Sequence, residues 1–262
     1  HRDDLHAALE HYTQVRSVDV LRIQNAARNS TEWFEHVERY TSFEPEQFAY
    51  SLLTRSQRIS HENLRERDAR YVSSFEDWLA RRSGVERAPQ KHSVPPMFKP
   101  FTLRGVTLKH RVVVSPMAQY SAVDGIAGDY HLMHLGARAM GGAALVMTEM
   151  TCVSPEARIT PACPGMYAPE HLIAWKRIVD FVHRQSDAKI GIQLGHSGAK
   201  GSTRVAWEGI DQPLDEGNWP LISASPQQYL RGVSQHSREA THDDLREIEA
   251  QFVRATQMSA EA

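Results

Sequence analysis

The run Lys189-Ile-Gly-Ile-Gln-Leu-Gly-His196 ends an apolar stretch on a single carboxamide, Gln193. A carboxamide presents a donor and an acceptor side by side. The pyrimidine edge of a flavin presents the complementary pair, an N–H beside a carbonyl. Two other apolar runs end in similar company: Val112–Val114 leads into Ser115-Pro-Met-Ala-Gln-Tyr120, and Ala143–Met147 into Thr148-Glu-Met150. The three ends offer main-chain amides, one carboxamide, thioethers and a phenol, with little acid–base character. Pro116 and Met117 can bring main chain against a flat ring, and methionine adapts to aromatic faces. The plainer alternative for Gln193 is a polar plug that satisfies a loop backbone.

The neighbouring groups divide in the same way. His196 follows a strand end directly and is either catalytic or, as preferred here, a loop-ordering imidazole bonded to backbone. Tyr120 either donates to a substrate carbonyl or packs as a loop aromatic. Glu149, if turned inward, needs a partner, and an ion pair is expected. Cys152 and Cys163 form no CxxC and read as small buried residues, which leaves no disulfide framework and no zinc site. His131 and His134 lie three apart but have no third ligand, so they are placed on a helix surface and no metal is expected. The run Thr54–Arg65 is dense in donors. It suits a phosphorylated ligand or an Arg-laced domain interface, and the interface is preferred.

These groups need elements to hold them. Val112–Val114, Ala143–Met147 and Lys189–Leu194 read as strands, apolar throughout, as in a parallel sheet covered on both faces. Asp129–Met140, closed by Gly141-Gly142, reads as a helix, as does the segment opened by Pro169 with Leu172, Trp175, Val179 and Val182 on one face. Phe101–Lys109 suggests a small hairpin about Gly105. Thr241 with Asp244 caps a last helix carrying Leu245, Ile248, Phe252 and Ala255. The alternation predicts an α/β fold, either a doubly wound sheet or a (β/α)8 barrel.

The first third differs. Residues 1–87 hold one Gly (Gly84) and one Pro (Pro45) of the chain's 15 and 13. This predicts a nearly all-helical segment, with Leu5, Leu9, Tyr12 and Val15 at helical spacing behind Asp3 or Asp4. Further helical pattern runs through Trp33, Val37 and Tyr40, then from Pro45 through Phe48 and Leu52, and last from about Ser74 to Gly84. The expected organisation is a helical domain over 1–86, a proline-containing linker over 87–96 and a second domain over 97–262. Lys+Arg is 30 and Asp+Glu 32, a net charge of −2 that gives no footprint for nucleic acid. No 18-residue apolar run and no signal peptide are visible, so neither a membrane nor an export partner is expected and the cytoplasm is the default. The start at His1 and the end at Ala262 within a helical pattern suggest a segment of a longer polypeptide.

Residues 97–262 resemble the old yellow enzyme family of flavin-dependent ene reductases. The stretches Phe101-Thr-Leu-Arg-Gly-Val-Thr-Leu-Lys-His-Arg111, Ser115-Pro-Met-Ala-Gln-Tyr-Ser121, Thr148–Ile159 and Gly191-Ile-Gln-Leu-Gly-His-Ser-Gly198 occur in family order. The resemblance implies the N-terminal part of a (β/α)8 TIM barrel, about three of eight strands, with FMN across its C-terminal mouth and NAD(P)H as reductant. It assigns Ser115, Pro116, Met117, Ala118, Met150 and Gln193 to the flavin and Tyr120 to the substrate. The sequence departs from the family at Ala118, where a flavin-tuning Cys is common, and at Ala199, where Arg is usual. The family's substrate-binding His pair would fall after Ala262, so the segment alone is expected to be inactive and to hold no catalytic residue.

Asn29-Ser-Thr-Glu-Trp-Phe-Glu35 and Leu53–Leu64 resemble the C-terminal helices of flavoprotein aromatic hydroxylases. More narrowly, they resemble the bifunctional group that joins a hydroxylase to an old-yellow-enzyme-like reductase and acts on aromatic CoA thioesters, such as salicylyl-CoA 5-hydroxylase and 2-aminobenzoyl-CoA monooxygenase/reductase. That resemblance implies FAD in an upstream domain, a monooxygenase/reductase sequence and an aromatic acyl-CoA as small-molecule partner, with a homo-oligomer as a further candidate assembly. The alternatives are a stand-alone ene reductase with a helical extension, and a non-catalytic flavin-binding or docking module.

Overall fold

The computed structural model describes residues 4–85 and 94–262. The chain divides into two compact units, His1–Lys99 and Pro100–Ala262. Residues 86–93, which include 87–93 of the expected linker 87–96, lie outside the described residues.

The first unit is helical. Helix α1 (Leu5–Glu35) starts where the Asp4 carboxylate accepts from the His6 and Ala7 amides, at 3.0 and 3.2 Å. It runs on through Trp33, and Val37–Tyr40 forms a separate 3-10 turn. Helix α2 (Pro45–Thr54) has Pro at its start, where the missing N–H costs nothing. Helix α3 (His61–Arg67), which the sequence pattern did not reveal, is opened by a reciprocal Ser60–Asn63 cap. Helix α4 (Ala69–Arg82) starts five residues before the predicted Ser74, because the Asp68 carboxylate caps it there by accepting from the Arg70 and Tyr71 amides. Trp33 anchors the unit. Its ring stacks on Tyr40 at 4.8 Å and its Nε1–H donates to Ser51 Oγ at 2.9 Å.

The second unit opens with a hairpin of β1 (Phe101–Leu103) and β2 (Val106–Leu108). A parallel sheet follows in the order β3 (Val113–Val114), β4 (Leu145–Cys152), β5 (Lys189–Gly195). Helices α5 (Asp129–Met140), α6 (Pro169–Gln185) and α8 (His242–Glu261) pack on this sheet, and a one-turn helix α7 (Ala206–Gly209) lies between. The α/β class is as expected, and the three strands form an open sheet. The long stretch before α8, to which the sequence pattern assigned no element, carries a second small sheet. Its strands are β6 (Ile222–Ser223), β7 (Gln227–Gln228) and β8 (His236–Glu239), ordered β6-β8-β7.

The core lies between the parallel sheet and its helices, centred on Val146, Trp175, Ile178, Val182 and Ala255. The apolar strands suggested burial on both faces, and the structure corrects this. Val146 is fully buried, whereas Leu145, Met147 and Met150 on the other face are half-buried and Val113 is exposed. Among the described residues, helices cover only one face. On the other, Val113 and Leu145 join the hairpin's Phe101, Leu103, Val106 and Leu108 around an apolar cavity of about 650 Å³.

His131 and His134 are not surface residues as expected but are buried on α5, because this short helix turns them toward the core. Burial, with the charge of Arg138 next, holds the His134 imidazole below its ordinary value. The unfolded chain therefore binds more protons than the folded chain around the ordinary imidazole range. The stability contributed is full above that range and is lost as pH falls through the folded value. The melting temperature should be lower at about pH 5.5 than at about pH 7.5, and the drop should shrink in His134→Asn. An equal drop in that variant would contradict this assignment.

Candidate functional site

The site is built at the C-terminal ends of β3, β4 and β5, where parallel sheets place their ligands. Strand β4 carries one residue more than β5 between paired positions, since Met147 pairs with Gly191 but Met150 pairs with Gln193. The extra residue makes a bulge at Thr148–Glu149, a device that re-aims a side chain. The freed polar groups are satisfied locally. Thr148 and Thr151 hydroxyls donate to the Glu149 carbonyl at 2.9 and 3.0 Å, and the Gln193 amide donates to Thr148 Oγ1 at 3.2 Å.

The re-aimed side chain is Glu149. It is 4% exposed. One carboxylate oxygen accepts from the Gln119 and Tyr120 amides at 2.8 and 3.4 Å, and the other from His131 Nε2 at 2.9 Å. His131 Nδ1 accepts from the Gly128 amide at 3.2 Å, so Nε2 carries the proton. Both imidazole nitrogens are thereby committed, which leaves His131 no lone pair for a metal. The expected partner of Glu149 is present, as a hydrogen bond from an imidazole whose Nδ1 is itself an acceptor rather than as an ion pair, and the carboxylate's main role is to tie the loop after β3 to β4 and α5. Sequence reasoning missed that role. The available signal was a carboxylate inside an apolar strand with a histidine in the first turn of the neighbouring helix.

The tie fixes the Ser115–Tyr120 loop. Tyr120 sits at φ +48°, a left-handed conformation costing about 1–3 kcal/mol for a residue with a side chain. Gln119 braces the loop from within, its Nε2 donating to the Met117 carbonyl at 2.9 Å and its Oε1 accepting from Tyr130 Oη at 2.9 Å. Ser115, Met117 and Ala118 are exposed and Pro116 is half-buried. Neither the Met117 nor the Ala118 amide donates to a described residue.

Across the sheet, Met150 and Gln193 are register partners, so the structure brings these two predicted residues side by side. Gly195 makes room for Met150, since a Cβ there would lie 2.5 Å from Met150 Cγ. The Gln193 carboxamide is exposed and bonds to no described side chain or backbone group. Unpartnered main-chain donors on one strand end and an unpartnered carboxamide on another, with the Met117 and Met150 thioethers, fit the edge and face of a flat heteroaromatic ring such as FMN.

Tyr120 is half-buried, its ring tilted against Trp207 at 6.4 Å, and burial raises its phenol above the ordinary value. Beyond it, Lys200 lies 3.4 Å from Asp211 and 5.0 Å over the Tyr229 ring. His196 Nδ1 accepts from the Gly198 amide at 3.0 Å, the loop-ordering arrangement preferred from sequence, and burial lowers its imidazole. Cys152 and Cys163 are buried and free.

Glu149→Gln tests the tie, because the amide that replaces one oxygen then meets a donor. The substitution should cost about 1–3 kcal/mol and speed hydrogen exchange at the Gln119 and Tyr120 amides. Unchanged exchange there would show that the loop is held by something else.

The sequence model described as the NADH:flavin oxidoreductase / NADH oxidase family matches residues 96–262. An NADH:flavin oxidoreductase of Gibberella zeae is 38% identical over 170 residues, which are 63% of this chain and 41% of that protein. An NADPH dehydrogenase of Listeria monocytogenes is 39% identical over 171 residues, 63% of this chain and 45% of that one. Among solved structures, morphinone reductase in complex with tetrahydroNAD superposes with a TM-score of 0.55 at 23% identity, over 64% of this chain and 47% of that one. The old yellow enzyme from a Pichia species gives 0.53 at 22%, over 63% and 42%. These two likenesses concern the fold. The chain spans less than half the length of each of these relatives. With the family match covering the sheet, its helices and every strand end of the site, the chain belongs to the NADH:flavin oxidoreductase / NADH oxidase family.

Proposed function

We propose that Pro100–Ala262 forms the flavin-facing first part of an FMN- and NAD(P)H-dependent oxidoreductase of old yellow enzyme type, its open sheet being the first three strands of a (β/α)8 barrel. The observation that carries this reading is the pairing of exposed, unpartnered donors on the Ser115–Ala118 loop with the unpartnered Gln193 carboxamide across the strand ends. When bound there, FMN would supply hydride transfer between a nicotinamide and an activated double bond.

The chain's own residues would bind and orient. The 115–118 main chain and Met150 would line the ring, and Gln193 would read its pyrimidine edge. Tyr120, held at its backbone angle through Glu149, would donate to a substrate carbonyl. Ala118 offers no side-chain hydrogen bond, so any tuning of the ring at this point would come from main chain alone. In the complete polypeptide, Gln193→Ala should weaken FMN binding about tenfold, the worth of one good buried hydrogen-bond pair. FMN affinity equal to the parent's would remove Gln193 from the site.

A second reading rests on the resemblance of two segments of the first unit to aromatic hydroxylase helices. Its motif Asn29–Glu35 contributes the anchoring Trp33, and Leu53–Leu64 spans the turn and cap between α2 and α3. On this reading the helices end an FAD-dependent aromatic hydroxylase domain fused ahead of the reductase. The substrate would be an aromatic acyl-CoA, hydroxylated and then reduced. Flavin released from the complete polypeptide by heat separates the two. FMN alone supports the simple reductase, and FMN with FAD, about one of each, supports the fusion. No flavin at all would contradict both.

A further inference from the structure

The helical unit holds a cleft of about 300 Å³ that the flavin reading leaves unused. One wall is a single face of α1: Arg22, Asn25, Ala26 and Asn29 at positions i, i+3, i+4 and i+7. The other is the turn Ser56-Gln57-Arg58, pinned to that wall by Asn29 Nδ2 donating to the Ser56 carbonyl at 3.5 Å. Gln57 sits at φ +57°, with its amide bonded to the Thr54 carbonyl at 2.8 Å, and the Arg58 amide bonds to Ser56 Oγ at 3.3 Å.

Most of the donors in the Thr54–Arg65 run are consumed inside the unit. Arg55 donates to the Leu52 carbonyl at 2.7 Å and lies over the Phe34 ring, and Asn63 caps α3. His61 and Arg65 converge on the buried Glu76 at 2.9 and 2.7 Å. What remains faces the cleft. The Arg58 guanidinium has no partner among the described residues, and Arg22 has only exposed Asp19 at 3.6 Å. Asn25 and Gln57 add unpartnered carboxamides, and no carboxylate lines the cleft.

Independently of the flavin reading, we infer that this cleft binds a phosphate ester, with Arg22 and Arg58 gripping the phosphate from opposite walls and the carboxamides of Asn25, Asn29 and Gln57 meeting its remaining oxygens. Guanidinium forks match phosphate geometry. The volume is at the small end for ligand clefts, enough for a phosphate and an attached sugar rather than a whole dinucleotide.

Titration calorimetry of the full chain with AMP, inorganic phosphate and adenosine tests this. AMP should bind saturably and more weakly as salt rises, and adenosine should not compete. Arg22→Gln and Arg58→Gln, each at an exposed position, should each weaken AMP about tenfold or more with the helical circular dichroism unchanged. AMP tighter than phosphate supports a nucleotide as the ligand, and equal affinities support a free phosphate. No saturable binding of either, or parent affinity in both variants, would overturn the proposal.

Discussion

The second unit depends on one buried carboxylate. Glu149 is removed from water at the end of β4 and is stable there because three donors from two different segments converge on it. The carboxylate joins the strand that bears it to the loop after β3 and to the first turn of α5. Without it, the Gln119 and Tyr120 amides would lose their acceptor, and the left-handed Tyr120 would lose what holds it. The bulge that aims Glu149 also sets Met150 opposite Gln193. One irregularity in β4 thus shapes both sides of the candidate flavin site.

The polarity of the site follows from this division of labour. The ionisable groups near the strand ends are occupied in structure: Glu149 with His131, Lys200 with Asp211, and His196 with its own loop. The groups left without partners are neutral, namely main-chain amides, a carboxamide and thioethers. Such a surface would suit a ring that brings its own reactivity, as the proposed function requires, better than it would suit acid–base hydrolysis.

Much of this was legible in the sequence because it rests on local rules. Thr241 with Asp244, Gly141-Gly142 and Pro169 marked helix ends, and the apolar runs marked the parallel strands. The strand-end residues followed from those assignments. What could not be read depends on partners distant in sequence. The bulge exists only relative to the register of β5, so the role of Glu149 was hidden, and with it the burial of His131. The strands β6 to β8 are two to four residues long, too short for a periodicity to show. Helix α3 is only seven residues long, too short for a repeat to show, and its Ser60–Asn63 cap lacks the usual acidic partner. The donor-rich run Thr54–Arg65 could not be divided into structural and exposed groups until Glu76 was seen beside it.

The most direct measurement is a crystal structure of the complete polypeptide with FMN. The account predicts the ring against the Ser115–Ala118 main chain, its pyrimidine edge on Gln193, and the Glu149 bonds to Gln119, Tyr120 and His131 unchanged. A ring bound away from Gln193, or a loop rearranged with Glu149 turned out to solvent, would contradict it.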